Sequence, residues 1–151
     1  MGEQMSEELK FHQVAYVVRD LDKSVKHWAD NLGIGPWTVY TLKAPGLRDC
    51  IYKGAKTEFS LRHAMAFAGN MLFELVQPLD GPSIFKDQLE TIGEGMNHVG
   101  CIVQDHPAAV ADFLSRGFTP LQSAAGFGAE GDGAFAYFQP PDIASAIVEL
   151  I

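Results

Sequence analysis

The chain has 151 residues, 47% of them hydrophobic and 20% charged, which suits one soluble globular domain with its own core. Its formal net charge of −8 argues against nucleic acid or an anionic membrane as a partner, because phosphate binding relies on clustered lysine and arginine. We therefore expect a small-molecule substrate, no nucleic acid and no membrane.

The cellular location is predicted from the N-terminal segment and the cysteines. Residues 1–10 form a polar tail without the apolar core of a signal peptide. Cys50 and Cys101 are too few for a disulfide framework, which favours a reducing compartment. No apolar stretch approaches the roughly 20 residues that span a bilayer. We expect a cytoplasmic protein.

One segment of the sequence occurs twice. Phe11–Asp20, which reads FHQVAYVVRD, aligns without a gap to Met96–Asp105, which reads MNHVGCIVQD. Each copy is rich in β-branched residues and runs into a helical segment that ends at a glycine, Gly33 or Gly117. Because an internal repeat usually marks a repeated structural unit, the chain is predicted to consist of two related halves.

The first half is predicted to contain one helix, four strands and one possible further short strand, followed by a helix that links it to the second half. After the strand at 11–18, Asp20 can cap a helix that ends at Gly33. The rest is predicted as a strand at 37–43, a loop at 44–56 with one short strand of undetermined position, strands at 59–67 and 71–77 joined at Gly69-Asn70, and a linking helix at 83–92.

The second half repeats this order. A strand begins at Met96, and a helix begins near Asp105 and Pro107. Strands follow at 118–122, 134–138 and 144–151, with a glycine-rich loop at 124–133. The G-x-G-x-x-G match at 126–131 runs into a strand and opens no helix, so we interpret it as a hairpin loop and not a dinucleotide site. The predicted organisation is α+β: a tail at 1–10, a βαβββ module at 11–82, a linker at 83–95 and a second βαβββ module at 96–151.

Two glutamates stand in apolar strands. Glu74 lies within MLFELV and Glu149 within AIVELI. A carboxylate buried there without a partner would cost several kcal/mol or be forced to protonate, and a bound metal ion removes that cost. One such glutamate alone favours a solvent-facing edge strand. Two of them, in the last strand of each half, favour a metal site.

The first strand of each half supplies the other candidate ligands. The gapless alignment puts Gln13 opposite His98, so a pseudo-twofold pairing of the halves would bring these two together with Glu74 and Glu149. One amide oxygen, one imidazole nitrogen and two carboxylates suit a divalent ion such as Zn, Ni, Co, Mn or Mg. His12 is expected to point to the opposite face and to be structural, because side chains alternate along a strand.

The doubled pattern from Phe11 to Ile151, with these four residues, resembles the vicinal oxygen chelate superfamily. That superfamily includes glyoxalase I, methylmalonyl-CoA epimerase, extradiol dioxygenases and fosfomycin and bleomycin resistance proteins. The resemblance implies a cupped mixed sheet with the helices outside and a metal held by Gln13, Glu74, His98 and Glu149. This ligand set is similar to that of eukaryotic-type glyoxalase I, whereas GMNHV at 95–99 is similar to the epimerase branch. We also expect a homodimer.

The resemblance implies a metal-dependent epimerase, isomerase or lyase that acts on a small acyl thioester or an α-oxygenated carbonyl compound. The metal would act as a Lewis acid, and Glu149 would take and return a proton on the neighbouring carbon. His63 is the candidate for a second catalytic base. The alternative for Arg62 and His63 is that both are ordinary polar strand residues.

Two other functions remain open. The first is a resistance-type protein that binds a ligand without chemistry, in a pocket lined by aromatic residues at 28, 37, 67, 137 and 138. The second is an extradiol dioxygenase, although such enzymes hold iron with two histidines and one carboxylate, and this set has one histidine. Glutathione is not an expected substrate, because Val14–Val18 lacks the arginine with which glyoxalase I anchors it.

Overall fold

The computed structural model describes residues 7–143 and 146–151. In those residues the helices are α1 (Leu21–Leu32), α2 (Ile84–Thr91) and α3 (His106–Ser115). The strands are β1 (Phe11–Val17), β2 (Thr38–Leu42), β3 (Arg48–Tyr52), β4 (Ala55–Lys56), β5 (Leu61–Ala68), β6 (Met71–Pro78), β7 (Gly95–Cys101), β8 (Thr119–Phe127), β9 (Gly133–Gln139) and β10 (Val148–Leu150).

The strands form one mixed sheet in the order β2-β5-β6-β1-β7-β10-β9-β8-β3-β4. The two halves of the sequence meet where β1 pairs antiparallel with β7. On either side of this seam, β6 lies parallel to β1 and β10 lies parallel to β7. The seam therefore carries the first strand of each half, flanked by the last strand of each half.

The register at the seam has the symmetry that the sequence repeat predicts. Val14 pairs with Val99, which is its own equivalent in the gapless alignment. A twofold axis through this pair exchanges β1 and β7. Gln13 and His98 each precede their valine by one residue, so the axis relates them to each other.

The same symmetry governs the neighbouring strands. Glu74 on β6 pairs with Ala15 of β1, and Glu149 on β10 pairs with Gly100 of β7. Ala15 and Gly100 are themselves equivalent in the repeat. Both glutamates therefore stand at the same height in the sheet, one on each side of the seam.

The sheet curls into a cup. Tyr40 and Leu42 on β2 line the same small cavity as Phe127 on β8, although many strands separate β2 from β8 in the sheet. Outside the cup, Leu21 of α1 packs with Leu75, and α3 packs against β7, β9 and β10. The predicted α+β fold with a cupped mixed sheet and outer helices is confirmed.

Each central strand is buried on both faces, which explains its apolar composition. On β6, Leu75 belongs to the cluster under α1, whereas Val76 belongs to the inner core. That inner core also contains Phe85 of α2, which packs against Tyr137 of β9 at a ring separation of 5.6 Å. The second helix therefore closes one end of the cup.

The helix starts follow from their caps. The side chain of Asp20 accepts a hydrogen bond from the backbone N–H of Lys23, and Asp105 accepts one from Ala108. Gly33 ends α1 in a left-handed conformation with φ +66°. Among the described residues, no helix is long and apolar enough to cross a membrane.

Two segments differ from the sequence prediction. The loop predicted at 44–56 contains the hairpin β3–β4, and β3 pairs with β8 from the other half. The loop predicted at 124–133 is shorter, because β8 continues to Phe127. Alanine and glycine have a low preference for strands, so the sequence predicted a loop there. In the structure Gly126 lies in β8, and a Cβ on it would lie 2.2 Å from the carbonyl oxygen of Gly46. Glycine is needed there because the backbone before β3 approaches so closely.

At the chain ends, the prediction extends beyond the described residues. The strand predicted at 144–151 is β10 at Val148–Leu150, and residues 144–145 lie outside the described residues. Most of the polar tail predicted at 1–10, residues 1–6, also lies outside them. Within that tail, Glu7 accepts a hydrogen bond from the backbone N–H of Gln104 at 3.0 Å.

We predict that Gly81→Ala destabilises the fold much more than Gly69→Ala. Both glycines have positive φ, +77° and +62°, but only at Gly81 would a Cβ meet backbone, at 2.2 Å from the carbonyl oxygen of Glu58. Strain at positive φ costs about 1 kcal/mol in each variant, and the clash adds about 2 kcal/mol or more to the loss at Gly81. Urea unfolding measures both, and equal losses would contradict the close approach.

Candidate metal centre

The four predicted ligands lie together on the inner face of the cup, two on each side of the seam. Their residues are almost fully buried, with exposed fractions of 2% for Gln13, Glu74 and His98 and 5% for Glu149. One ligand atom from each of Glu74, His98 and Glu149 lies within 4.8 Å of the other two. A single ion placed among these atoms would be within reach of all three side chains.

The short distances converge on the two carboxylates. Nε2 of His98 is 2.9 Å from Oε2 of Glu149 and 3.7 Å from Oε2 of Glu74. The side-chain amide of Gln13 donates to Oε2 of both glutamates, at 3.3 Å for Glu149. Rotating that amide by half a turn would present its oxygen to the same point.

A chain of side-chain amides fixes the orientation of His98. Oδ1 of Asn97 lies 2.8 Å from Nδ1 of His98, and Nδ2 of Asn97 donates to Gln88 at 3.0 Å. The amide of Gln88 donates in turn to the carbonyl oxygen of Gly93 at 3.2 Å. Because the Asn97 oxygen can only accept, Nδ1 of His98 carries a proton, and Nε2 is the nitrogen available to a metal.

Nε2 of His98 is buried, close to a carboxylate and poorly aligned for a hydrogen bond with it. Two lone pairs would repel at 2.9 Å, so the imidazole must hold a second proton or share a cation with Glu149. Burial alone would lower the pKa of His98, but the charges of Glu149 and Glu74 outweigh burial and raise it to about 9. The donor set therefore fits a divalent ion, which would replace that proton.

Glu74 uses its two oxygens differently. Oε2 faces Gln13 and His98, whereas Oε1 contacts Nδ1 of His63. Burial alone would raise the pKa of Glu74, but the charges and hydrogen bonds of His63 and His98 hold it well below its ordinary value. Glu74 is therefore ionised and connects the candidate metal ligands to His63.

His63 lies within the site, and its sequence neighbour Arg62 lies outside it. The ring of His63 stacks on Tyr40 with centroids 5.1 Å apart, and its Nε2 is buried without a hydrogen-bond partner. Arg62 instead forms an ion pair with Asp22 at 2.9 Å on the outer surface. Of these two, only His63 is placed to exchange a proton with a ligand in the cup.

Gly100 allows two of the candidate ligands to approach the seam. A Cβ at this position would lie 3.1 Å from Oε2 of Glu149 and 3.4 Å from Cβ of Gln13. The equivalent residue in the other half, Ala15, has a Cβ. The two halves therefore differ in the space beside the carboxylate, a difference that the sequence analysis missed.

A cavity of about 180 Å³ lies over these residues. Tyr40, which was not predicted as a site residue, and Tyr137, which was suggested only for the pocket of a binding protein, contribute to its wall. Burial raises the pKa of both tyrosines, so their hydroxyls remain protonated. His12, which was expected on the opposite face, is half-buried and lines the edge of this cavity next to an irregularity in the β1–β7 register.

The aromatic pocket proposed for a binding protein does not coincide with this cavity. Trp28 packs against Tyr16 and Trp37 in the region of α1, with ring centroids 5.0 and 6.5 Å apart. Phe67 is 66% exposed. Of the five aromatic residues suggested from the sequence, Tyr137 lines the cavity over the candidate metal centre.

Several solved structures have a similar fold. Methylmalonyl-CoA epimerase from Mycobacterium tuberculosis is 22% identical with a TM-score of 0.65, over 93% of this chain and 85% of that one. A variant of the Streptomyces coelicolor methylmalonyl-CoA epimerase, in complex with 2-nitronate-propionyl-CoA, is 20% identical with a TM-score of 0.69, over 93% and 94%. A hypothetical protein from Bacillus halodurans C-125 is 17% identical with a TM-score of 0.64, over 95% and 94%. At these identities the similarity establishes the fold alone.

The sequence itself matches one protein family. No curated protein matches the chain. Residues 12–138, most of the chain, match the family described as the Glyoxalase/Bleomycin resistance protein/Dioxygenase superfamily. This match confirms the resemblance to the vicinal oxygen chelate proteins. The chain belongs to the Glyoxalase/Bleomycin resistance protein/Dioxygenase superfamily.

Proposed function

We propose that this protein is a metal-dependent enzyme that moves a proton on a carbon next to a carbonyl group, as an epimerase, isomerase or lyase. Its substrate would be a small acyl thioester or an α-oxygenated carbonyl compound. The observation that supports this proposal is the convergence of three buried groups, Glu74, His98 and Glu149, under a small cavity that also contains His63.

The metal would be held by Gln13, Glu74, His98 and Glu149, and Zn, Ni, Co, Mn and Mg all suit this donor set. When bound, the ion would supply a Lewis acid that stabilises negative charge on a substrate oxygen. The protein supplies the rest. The amide chain through Asn97 holds the imidazole of His98, and apolar side chains form much of the cavity wall.

Two groups are placed to move the proton. Glu149 reaches the cavity from β10 and His63 reaches it from β5. Because Glu74 occupies Nδ1 of His63, the other ring nitrogen remains free to accept or donate a proton. Removal by one group and return by the other would give epimerisation, whereas return to a neighbouring atom would give isomerisation.

The two alternatives account less well for the geometry. An iron-dependent dioxygenase would need a second histidine among the converging ligands, but the described group that converges here consists of Glu74, His98 and Glu149. A binding protein without chemistry would gain nothing from two nearly inaccessible carboxylates, which are costly to bury. The homodimer and the cytoplasmic location remain predictions from the sequence.

The first prediction concerns metal content. Protein purified without chelator should hold about one equivalent of divalent metal, and His98→Ala and Glu74→Gln should each lower the affinity by at least about tenfold. His27→Ala and Glu58→Gln change exposed residues of the same types and are the matched controls. Elemental analysis and metal titration measure both quantities. Less than about half an equivalent, with no response to added metal, would contradict the site.

The second prediction separates proton transfer from metal binding. His63→Gln should keep the metal, because His63 is not among the converging ligands, but should slow proton exchange about a hundredfold or more. Loss of the C–H signal of hydroxyacetone or of a simple acyl thioester in D₂O, followed by NMR, measures the exchange. Arg62→Gln, at the adjacent strand position, should exchange at the wild-type rate. Equal rates in both variants would remove His63 from the mechanism.

The third prediction is a pH dependence. The raised pKa of His98 means that its proton stabilises the metal-free fold fully below the ordinary value of 6.5, and that this stabilisation is lost as the pH rises through about 9. A metal must displace the proton, so its affinity should rise by up to about tenfold per pH unit between roughly pH 7 and 9. Titration calorimetry in two buffers with different ionisation enthalpies would detect the released proton. Absence of proton release near pH 7 would show that the metal does not displace a proton from His98.

A further inference from the structure

The residues that line the cavity indicate which charge a substrate can carry there. Apart from the candidate ligands, the histidines and the tyrosines, the side chains that line it are apolar, and they include Leu42, Met65, Leu72, Ile102, Phe127 and Phe135. Across residues 7–143 and 146–151, no lysine or arginine lines this cavity. A substrate carboxylate or phosphate inside it would therefore meet no fixed positive charge of the protein.

The candidate metal centre would not supply charge for a further anionic group. A divalent ion with the carboxylates of Glu74 and Glu149 sums to zero, and the charge that the ion could still offset would be used on the substrate oxygen that it stabilises in the proposed reaction. An anionic group that enters would give up its hydration without an opposite charge to receive it. An uncharged group would lose little and would fill the apolar wall.

The size of the cavity limits what can enter. Its volume of about 180 Å³ equals that of about six water molecules in the liquid. Typical sites for drug-sized ligands are larger, from about 300 Å³ upward. Only a small head group fits over the candidate metal centre.

The rest of a larger substrate can extend from the cavity into an adjoining groove. Tyr40, Leu42 and Phe127 line both the cavity and this groove, which has a volume of about 440 Å³ and also contains Lys43 and Gly126. Lys43 is exposed. Lys43 is the one cationic side chain among the described residues that line this groove, so the tail of a substrate lying there would pass a positive charge.

We infer that the reacting head of the substrate is small and uncharged, and that any anionic group of the substrate is carried on its tail. This inference rests on the proposed metal centre and adds that the site discriminates between substrates by the charge of the reacting head. It excludes heads that bear a free carboxylate next to the reacting carbon and favours uncharged α-oxygenated carbonyl or acyl groups.

The test compares two probes that chelate metals through the same group. Butanohydroxamic acid and malonic monohydroxamic acid are of similar size and differ on the carbon next to the carbonyl, which carries an ethyl group in one and a carboxylate in the other. The protein is loaded with Co²⁺, whose visible absorption reports its coordination, and each probe is titrated in. The affinity of both probes for free Co²⁺ is measured in parallel to correct for chelation in solution.

The probe without the carboxylate should bind at least about tenfold more tightly, since burying a further unpaired charge is costly. Leu42→Lys places a cation on the cavity wall and should reduce or reverse the difference in affinity between the two probes. Leu42→Met conserves size and should leave that difference unchanged. Tighter or equal binding of the carboxylate probe would overturn the inference, as would Co²⁺ absorption that neither probe changes. If Co²⁺ does not bind at all, that result contradicts the proposed metal site itself and not the inference about the charge of the substrate.

Discussion

The site depends on one constraint, the burial of two carboxylates in the middle of a sheet. Glu74 and Glu149 are each at most 5% exposed, so their charges must be balanced by groups that the fold brings to them. In the structure, the side-chain nitrogens of Gln13, His98 and His63 contact these oxygens. All of these donors come from other strands, so the constraint determines how the strands must align. A divalent cation would satisfy the same constraint with fewer protons.

The internal duplication provides this alignment. Because Val14 pairs with its own equivalent Val99, Gln13 and His98 fall on opposite sides of a twofold axis, and so do the two glutamates. A shift of one residue at this seam would turn the side chains of one strand to the other face and separate the set. The symmetry is incomplete at one pair of the candidate ligands. Gln13 corresponds to His98 in the repeat, so one half contributes an amide and the other an imidazole.

The sequence predicted those features that are local or repeated. The repeat indicated a pseudo-twofold pairing of the halves with Gln13 and His98 as equivalents, and the acids inside apolar strands gave Glu74 and Glu149 as candidate ligands. It did not place the hairpin β3–β4, because the partner strand β8 lies far along the chain and strand pairing over that distance leaves no local pattern. Asn97 and Tyr40 were missed for a similar reason. The contact of Tyr40 with His63 exists only after β2 and β5 pair, and the link from Asn97 to Gln88 exists only after α2 packs near β7. The role of the cluster in binding metal remains a prediction.

Glu74 couples the two functions proposed for the cup. Its Oε2 faces His98 while its Oε1 engages Nδ1 of His63, so one carboxylate both balances the candidate metal centre and orients the second base. A cation at Oε2 would withdraw electron density from the same carboxylate and weaken its hold on the proton at Nδ1. A substitution at Glu74 would therefore alter both the proposed metal centre and the contact that holds His63, because both depend on this one buried carboxylate.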